Sequence, residues 1–457
     1  MAKYLVLAIF IVVINFIQSF FLPSGGIYAD SLSYFGIASD LPNPVTNLFP
    51  LGYPTMLRLF FEIFGDFFWA SKALNTLMIT VILLFSYFKR FYFKETVLLL
   101  AGKTALFVFS IAISESLFVF LLYFLIYYLY KILNDNKSSY KDAISASLIL
   151  FAMFTVRYSG IYVYLSVVAF AGFLLIKGKD KSKIKEIGLF VLLSGFGIAG
   201  YLLFNLMEFG SFTGENLRGK PAEILTIYVI RDLLGLANSV NPYIGLKPSS
   251  NSFASMAFQF FVLLIDTFVF IYLIRYFKKA KETSLHYFHI LLWVIATVYA
   301  VSLLISGWLQ QIEEMNIRMM AATNVCIFFS FLILYYKNLR SDKVVFRVGC
   351  FFLIFNTAYS LKNPVNYFQN RKQIEPQMSK FSHKKYIYID ERFEAEIPTK
   401  YVIPIINKTF EYKHTNNQKG DVKQSIVGTL NPKIKWLKYD TIKDKSQVLY
   451  TSEVVLK

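Results

Sequence analysis

The sequence predicts an all-α, polytopic membrane protein with about 11 transmembrane helices and a small C-terminal α/β domain outside the membrane. Two observations support the membrane class. Hydrophobic residues make up 56% of the 457 residues, whereas soluble domains contain about 45–50%. The mean hydropathy is +0.50, and the apolar residues are gathered in long runs rather than spread evenly. We therefore attribute the excess of apolar residues to contact with lipid.

Eleven apolar runs are long enough, or nearly long enough, to cross a bilayer as helices, which takes about 20 residues. The first run is similar to a signal peptide, but no small-residue cleavage site follows it, so we interpret it as a retained helix. The eleven runs are 4–22, 68–88, 96–113, 117–133, 143–156, 159–176, 187–206, 254–274, 286–306, 319–336 and 344–360.

Basic residues are concentrated in every second loop between these runs. Because cytoplasmic loops carry an excess of lysine and arginine, we expect these loops and the N-terminus to be cytoplasmic and the C-terminus to be extracytoplasmic. The same alternation accounts for the formal net charge of +18 without a nucleic-acid partner. The basic loops contain residues 89–94, 131–141, 177–185, 275–281 and 337–347.

Three segments then share the outer side of the membrane, namely loops 23–67 and 207–253 and the tail that begins at 362. Within the first loop, residues Tyr53–Phe64 have the amphipathic pattern of a helix that lies on the membrane surface.

The C-terminal tail differs in composition from the rest of the chain. It is polar and lysine-rich, and its short alternating stretches at 385–390 and 401–406 are typical of strands. We therefore predict a transmembrane catalytic domain over 1–361 and an extracytoplasmic domain over 362–457.

Several classes of site are absent from the sequence. The two cysteines fall inside apolar runs and the four histidines are scattered, so neither a disulfide framework nor a zinc pattern is predicted. Neither a P-loop nor a GxGxxG motif occurs, which argues against a nucleotide-driven pump.

Ionisable residues occur at the outer ends of several predicted spans. Such a side chain at the bilayer edge is costly unless it has a partner or a function. With the predicted topology these residues all lie at one depth on one side of the membrane, so we expect them to share a site. They are Asp30, Glu115, Arg157, Glu313, Glu314 and Arg318.

Each of these residues also has a purely structural alternative. Asp30 is suited to cap the helix that follows it, and Glu115 to face water in a short turn. Arg157 can extend toward lipid headgroups from a helix end. Glu314 and Arg318 are spaced as an ordinary helical ion pair.

Taken together, the set suits the transfer of a sugar from a lipid phosphate to a hydroxyl group. The acceptor hydroxyl needs a carboxylate to take its proton. The departing phosphate needs cations, and arginine binds phosphate with a planar, bidentate group. Tyr34 and Tyr53 lie in the first outer loop, where their rings are candidates to stack on a sugar.

Five short motifs occur in order along residues 1–361, and through them the chain resembles a known class of enzymes. That class is the GT-C class of polyprenyl-phosphate-sugar-dependent glycosyltransferases. The resemblance is greatest to the family 39-like group, which includes protein O-mannosyltransferases and bacterial lipid A aminoarabinose transferases. The motifs are Tyr28–Tyr34, Gly52–Gly65, Ile113–Ser116, Arg157–Gly160 and Phe209–Gly214.

The resemblance implies a GT-C-like fold and a catalytic role for Asp30. Many relatives have two adjacent acids where this chain has Asp30-Ser31. Relatives also often have a proline-containing motif after the arginine, where this chain has Arg318-Met319-Met320.

We therefore predict an inverting glycosyltransferase of the plasma (inner) membrane that moves a hexose or pentose from a polyprenyl-phosphate donor to a lipid, glycan or protein acceptor. A flippase or transporter of lipid-linked saccharides and an O-antigen polymerase or ligase remain alternatives. The carboxylates permit a divalent cation without requiring one. The predicted substrate-binding residues are Glu115, Arg157, Tyr34, Tyr53, Glu313, Glu314 and Arg318.

Overall fold

A computed structural model describes most of the chain up to residue 368 and five short strands beyond it. The described residues are 1–22, 25–44, 46–135, 140–178, 181–215, 226–241, 253–309, 315–338, 342–361 and 366–368, together with the strands.

The first 361 residues fold as a helical bundle, where described. The helices are α1 (Ala2–Phe21), α2 (Ala29–Asp40), α3 (Gly52–Phe64), α4 (Phe67–Phe88), α5 (Phe93–Leu100), α6 (Lys103–Ser110), α7 (Ser114–Asn134), α8 (Tyr140–Val156), α9 (Gly160–Ile176), α10 (Lys181–Phe209), α11 (Thr226–Leu236), α12 (Phe253–Lys279), α13 (His286–Leu309), α14 (Ala321–Asn338) and α15 (Lys343–Ser360). Two 3₁₀ turns, Ala237–Ser239 and Ala280–Glu282, follow α11 and α12.

Every predicted apolar run coincides with a helix, or in one case with two. Within the described residues, α1, α4, α7, α10, α12 and α13 are each long and apolar enough to cross a membrane. The runs that correspond to α8, α9, α14 and α15 form shorter helices. The run 96–113 contains a break between α5 and α6, where Gly102 in an extended conformation begins α6 at Lys103. The predicted all-α, multi-pass architecture is confirmed.

Helix α7 lies in the centre of the bundle, and its buried residues follow most of its length. It packs against α4, α8, α13 and α14. By contrast, α10 and α12 expose many large apolar side chains, including Met207, Phe253 and Phe268. An apolar surface of this extent is expected where a helix faces lipid rather than water.

One end of the bundle carries the two short helices of the first loop. Helix α3 covers the predicted surface helix 53–64 and ends at Phe64. Gly65 follows it with a φ of 71°, which is readily adopted only by glycine. Asp66 then caps the N-terminus of α4, because its carboxylate accepts a hydrogen bond of 2.7 Å from the Trp69 backbone N–H. The predicted helix at 53–64 is confirmed.

At the opposite end, polar side chains join α1 to α14 and α15. Lys3 forms an ion pair of 2.8 Å with Asp342, and the hydroxyl groups of Tyr4 and Tyr336 lie 2.6 Å apart. These contacts lie at the end of the bundle away from Asp30, so they stabilise the fold without reaching the candidate site.

The described residues beyond 368 form five short strands, namely β1 (Tyr386–Ile389), β2 (Phe410–Tyr412), β3 (Lys435–Leu437), β4 (Val448–Tyr450) and β5 (Val454–Leu456). Strand β1 pairs in parallel with β2 and β4, whereas β3 and β5 are antiparallel. The predicted strand at 385–390 corresponds to β1, and the predicted stretch 401–406 lies outside the described residues. The domain boundary at 362 stays a prediction.

Candidate active site

Four ionisable side chains from different parts of the chain meet at one end of the bundle. Arg318 Nη1 lies 2.5 Å from Asp30 Oδ2, and Arg318 Nε lies 3.8 Å from Glu115 Oε1. Glu115 Oε2 in turn lies 2.7 Å from Arg157 Nη1. The result is an alternating row of two carboxylates and two guanidinium groups, Asp30–Arg318–Glu115–Arg157.

Asp30 lies in the first turn of α2 and is not its N-cap. The extended residue before the helix is Tyr28, and its backbone N–H donates to Ser31 Oγ at 3.0 Å. The capping role considered for Asp30 is therefore wrong. A carboxylate in the first turn is nevertheless favoured by the helix dipole, and the side chain remains available to Arg318.

Glu115 also lies in the first turn of a helix, here α7. Only 4% of the residue is exposed, so the alternative of a loop carboxylate in water is wrong. A buried carboxylate is costly unless it is paired, and Arg157 is its nearer partner.

Arg157 follows the last residue of α8 and points toward the bundle rather than toward lipid headgroups. Besides its ion pair with Glu115, its Nη1 donates to Ser114 Oγ at 3.0 Å. Its Nε is buried and has no hydrogen-bond partner among the described residues. Burial alone would lower the pKa of Arg157, but Glu115 and neighbouring tyrosines raise it above its ordinary value. Arg157 is therefore a cation fixed in place by Glu115 and Ser114, and its Nε–H donor is not used by the described residues.

Arg318 lies in the turn before α14, which is stabilised by the side chain of Asn316. The Asn316 Oδ1 accepts a hydrogen bond of 3.1 Å from the Arg318 backbone N–H. Arg318 uses its guanidinium on Asp30 and Glu115, as described above. Glu313 and Glu314 lie outside the described residues, so their predicted roles stay predictions.

Helix α11 contacts the turn that carries Arg318. The carboxylate of Asp232 on α11 accepts a hydrogen bond of 3.0 Å from the Met315 backbone N–H. Gly235 lies so close that an added Cβ would be 2.2 Å from the Met315 carbonyl oxygen. The second outer loop therefore positions the turn that carries Arg318.

Tyr34 and Tyr53 are buried beneath this row rather than exposed beside it. They are 1% and 0% exposed, and their rings pack edge to face with centroids 5.0 Å apart. The Tyr34 hydroxyl lies 2.7 Å from Ser114 Oγ, the same oxygen that Arg157 contacts. Their packing supports the site from below, and stacking of either ring on a sugar stays a prediction.

Two tyrosines of the first loop remain neutral phenols. Burial raises the pKa of Tyr28 to about 12, although Arg318 lowers it. Burial, reinforced by Glu115, also raises the pKa of Tyr34. These side chains can therefore donate hydrogen bonds at the site but are not bases at neutral pH.

Sequence reasoning missed two polar residues next to the site. Ser114 Oγ lies within hydrogen-bond distance of both the Tyr34 hydroxyl and Arg157 Nη1, and its place in the motif Ile113–Ser116 was the signal that could have identified it. Lys72 lies on α4 and is 2% exposed. It falls within the apolar run 68–88, and a lysine inside a predicted span is by itself an indication of a special role.

Metal binding remains an open prediction. Among the described residues, no group of three or more His, Cys, Asp or Glu side chains is arranged to hold an ion. In the row described above, each of the two carboxylates is paired with an arginine. The guanidinium groups therefore supply positive charge where a metal ion would otherwise supply it.

The chain is similar to known proteins in sequence pattern and in fold. Residues 49–202 match the family described as dolichyl-phosphate-mannose-protein mannosyltransferase. The chain also superposes on the crystal structure of ArnT from Cupriavidus metallidurans bound to undecaprenyl phosphate, with a TM-score of 0.57 and 9% identity. That match covers 89% of this chain and 85% of ArnT.

The fold is that of the GT-C class. The resemblance to the family 39-like group, predicted from five short motifs, is confirmed by the family match. A comparison with curated protein sequences gives no match. The match in fold agrees with the multi-pass helical architecture described above.

Proposed function

We propose that this chain is an inverting glycosyltransferase that moves a sugar from a polyprenyl-phosphate donor to a lipid, glycan or protein acceptor at the extracytoplasmic face. The observation that carries the proposal is the row Asp30–Arg318–Glu115–Arg157. It places the partly exposed carboxylate of Asp30 in a row with two cations, at one end of a bundle in which α10 and α12 expose many large apolar side chains. Such a site suits a substrate with an anionic head and a lipid tail.

Asp30 is the group best suited to act as the base. Its side chain is 22% exposed, whereas that of Glu115 is 5% exposed. In the proposed reaction, the acceptor oxygen attacks the anomeric carbon as Asp30 takes the hydroxyl proton. The bond between the anomeric carbon and the phosphate oxygen breaks, and the phosphate leaves with the electron pair. A single displacement of this kind inverts the anomeric centre.

Arg318 and Arg157 are the groups best suited to bind the leaving phosphate. Both are fixed by Glu115, so little reorganisation is needed when negative charge develops. The unused Nε of Arg157 offers a donor to a phosphate oxygen, and the Arg318 guanidinium offers others once it releases Asp30. Glu115 is then a positioning residue that holds both arginines.

The location of the reaction follows from the proposed topology. The basic loops are cytoplasmic in that topology, which leaves Asp30 and the C-terminal tail on the extracytoplasmic side of the plasma membrane.

The proposal is tested by mass spectrometry of glycolipids and surface glycans from host cells with and without the chain. We expect one hexose or pentose to be missing from one glycan or lipid when the chain is absent. The purified chain in vesicles should then transfer that sugar from the host lipid extract. If the vesicles move the intact lipid-linked sugar across the bilayer without cleaving it, the flippase alternative is correct.

A further inference from the structure

Lys72 has no carboxylate partner among the described residues, although it is almost completely buried. Its ammonium group instead donates to two backbone carbonyl oxygens, that of Gly25 at 2.6 Å and that of Ser110 at 3.1 Å. A buried ammonium group is costly unless its hydrogen bonds are made. These two hydrogen bonds connect α4 to the backbone at Gly25 and at Ser110.

The two carbonyl groups belong to the two segments that carry the acids of the site. Asp30 follows Gly25 by five residues, and Glu115 follows Ser110 by five residues. The segments also touch directly, because the Ala112 backbone N–H donates to the Gly26 carbonyl at 2.9 Å. Lys72 lies at the junction of the two segments.

The backbone of the first loop and that of the end of α6 are closely packed at this junction. Gly26 has a φ of +73°, and a Cβ added there would lie 2.5 Å from the Ser110 carbonyl oxygen and 3.2 Å from Lys72 Nζ. One turn further along α4, the Asn75 side chain donates to the Ile111 carbonyl at 2.7 Å. Asn75 thus contacts only the segment that carries Glu115, whereas Lys72 contacts both segments.

We propose that Lys72 is a positioning residue that sets the spacing between Asp30 and Glu115, and through Glu115 the place of both arginines. It acts by joining the backbone of the first loop to the end of α6, and it does not contact substrate. The expected effect on the transfer rate rests on the proposed glycosyl transfer. The role of Lys72 in setting the spacing of the two segments does not depend on that function.

The test compares backbone hydrogen exchange in three variants of the full chain in detergent. In Lys72→Met we expect protection to fall together in 25–34 and 110–118, by about tenfold or more. Asn75→Leu should loosen only 110–118. Lys131→Met is the matched control, because it removes a lysine whose ion pair with Asp142 (2.6 Å) lies at the far end of the bundle.

Kinetics in vesicles with the host lipid extract give the second readout. A displacement of about 1 Å costs about 10²-fold in rate, so we expect Lys72→Met to lower the maximal transfer rate by about 10- to 100-fold. The Kd of the probe undecaprenyl phosphate should change by less than about threefold, as estimated from the lack of direct contact. Lys131→Met should leave both quantities unchanged.

Several outcomes would overturn the assignment. One is loss of protection in a single segment only. Another is an unchanged maximal rate in a well-folded Lys72→Met. A third is a higher Kd for undecaprenyl phosphate with an unchanged rate, which would mean that Lys72 binds the sugar donor directly. If Lys72→Met does not fold, the same exchange experiment is done on Lys72→Gln, which keeps N–H donors on a shorter side chain. Loss of protection in one segment only, or in neither, would again overturn the assignment. A parent chain that transfers no sugar contradicts the proposed function but leaves the exchange comparison valid.

Discussion

Arg318 and Asp30 are joined by an ion pair of 2.5 Å although 288 residues separate them in sequence. The same guanidinium is the natural partner of a donor phosphate, so carboxylate and phosphate compete for it. Binding of the donor should therefore release Asp30 and leave it free to accept the hydroxyl proton.

This competition predicts that Asp30→Asn binds the probe undecaprenyl phosphate more tightly than the parent chain does. Removal of the competing charge should strengthen binding by up to about tenfold, or about 1.4 kcal/mol. Binding is measured by tryptophan fluorescence or calorimetry in detergent. Weaker binding would mean that Asp30 assists the phosphate rather than opposing it.

The same variant tests catalysis. Asp30→Asn keeps the size of the side chain but cannot take a proton, so we expect transfer to fall by about 10²- to 10⁴-fold with an unchanged melting temperature. Asp66→Asn is the control, since Asp66 caps α4 nearby through Trp69 and lies outside the ionic row. A near-parent rate in folded Asp30→Asn would exclude Asp30 as the base.

Glu115 and Arg157 should be strongly coupled in stability. Removal of one partner of a buried ion pair costs about 3–5 kcal/mol because the other charge is left unpaired. We expect Glu115→Gln and Arg157→Met each to lower the unfolding midpoint, and the double variant to lower it by less than their sum. Additive effects would show that the 2.7 Å contact contributes little to the fold.

Arg157→Lys should retain more stability than Arg157→Met but should still transfer slowly. Lysine keeps the charge and loses the planar, bidentate group that suits phosphate. The maximal rate and the melting temperature of the purified variant separate the two effects. Transfer at the parent rate by Arg157→Ala would contradict any role in donor binding.

Gly26 and Gly65 form a matched pair for testing the junction beneath the first loop. Both have a positive φ, +73° and +71°, but only Gly26 faces a close contact, since nothing lies within 4 Å of a Cβ at Gly65. Gly65→Ala should cost only the left-handed strain of about 1–2 kcal/mol, whereas Gly26→Ala should in addition impair transfer. Equal effects on melting temperature and rate would argue against the junction.

The predicted topology is tested separately. Tags at Lys181 and Lys279 should report the cytoplasm, and tags near Gly214 and within 362–457 should report the outside. Accessibility to an impermeant reagent in intact cells is the measurement. A cytoplasmic tail would place the candidate site on the wrong side for the proposed reaction.

The helices were predictable because membrane spans are determined by local apolar composition, which a single sequence displays. The shared location of Asp30, Glu115, Arg157 and Arg318 also followed from the alternation of basic loops. Their pairing did not, because contacts across 288 residues depend on how the helices pack. The same is true of Lys72, whose partners are backbone carbonyls that no sequence pattern marks.

The wrong expectations concerned local structure at helix starts. Asp30 and Glu115 each lie in the first turn of a helix, and Tyr28 rather than Asp30 is the residue before α2. Boundaries of this kind are decided by single hydrogen bonds such as that from the Tyr28 N–H to Ser31, and several residues compete equally well for them in sequence.

The contact between α11 and the Arg318 turn has a consequence for protein engineering. Asp232 and Gly235 lie very close to the backbone of Met315. Helix α11 and the Arg318 turn should therefore be exchanged together when segments are swapped between relatives. A chimera that exchanges the loop 207–253 with that of a relative should lose activity unless residues 315–320 are exchanged with it. Crossover points for such a chimera are therefore best placed within α10 and α14, outside this pair of segments.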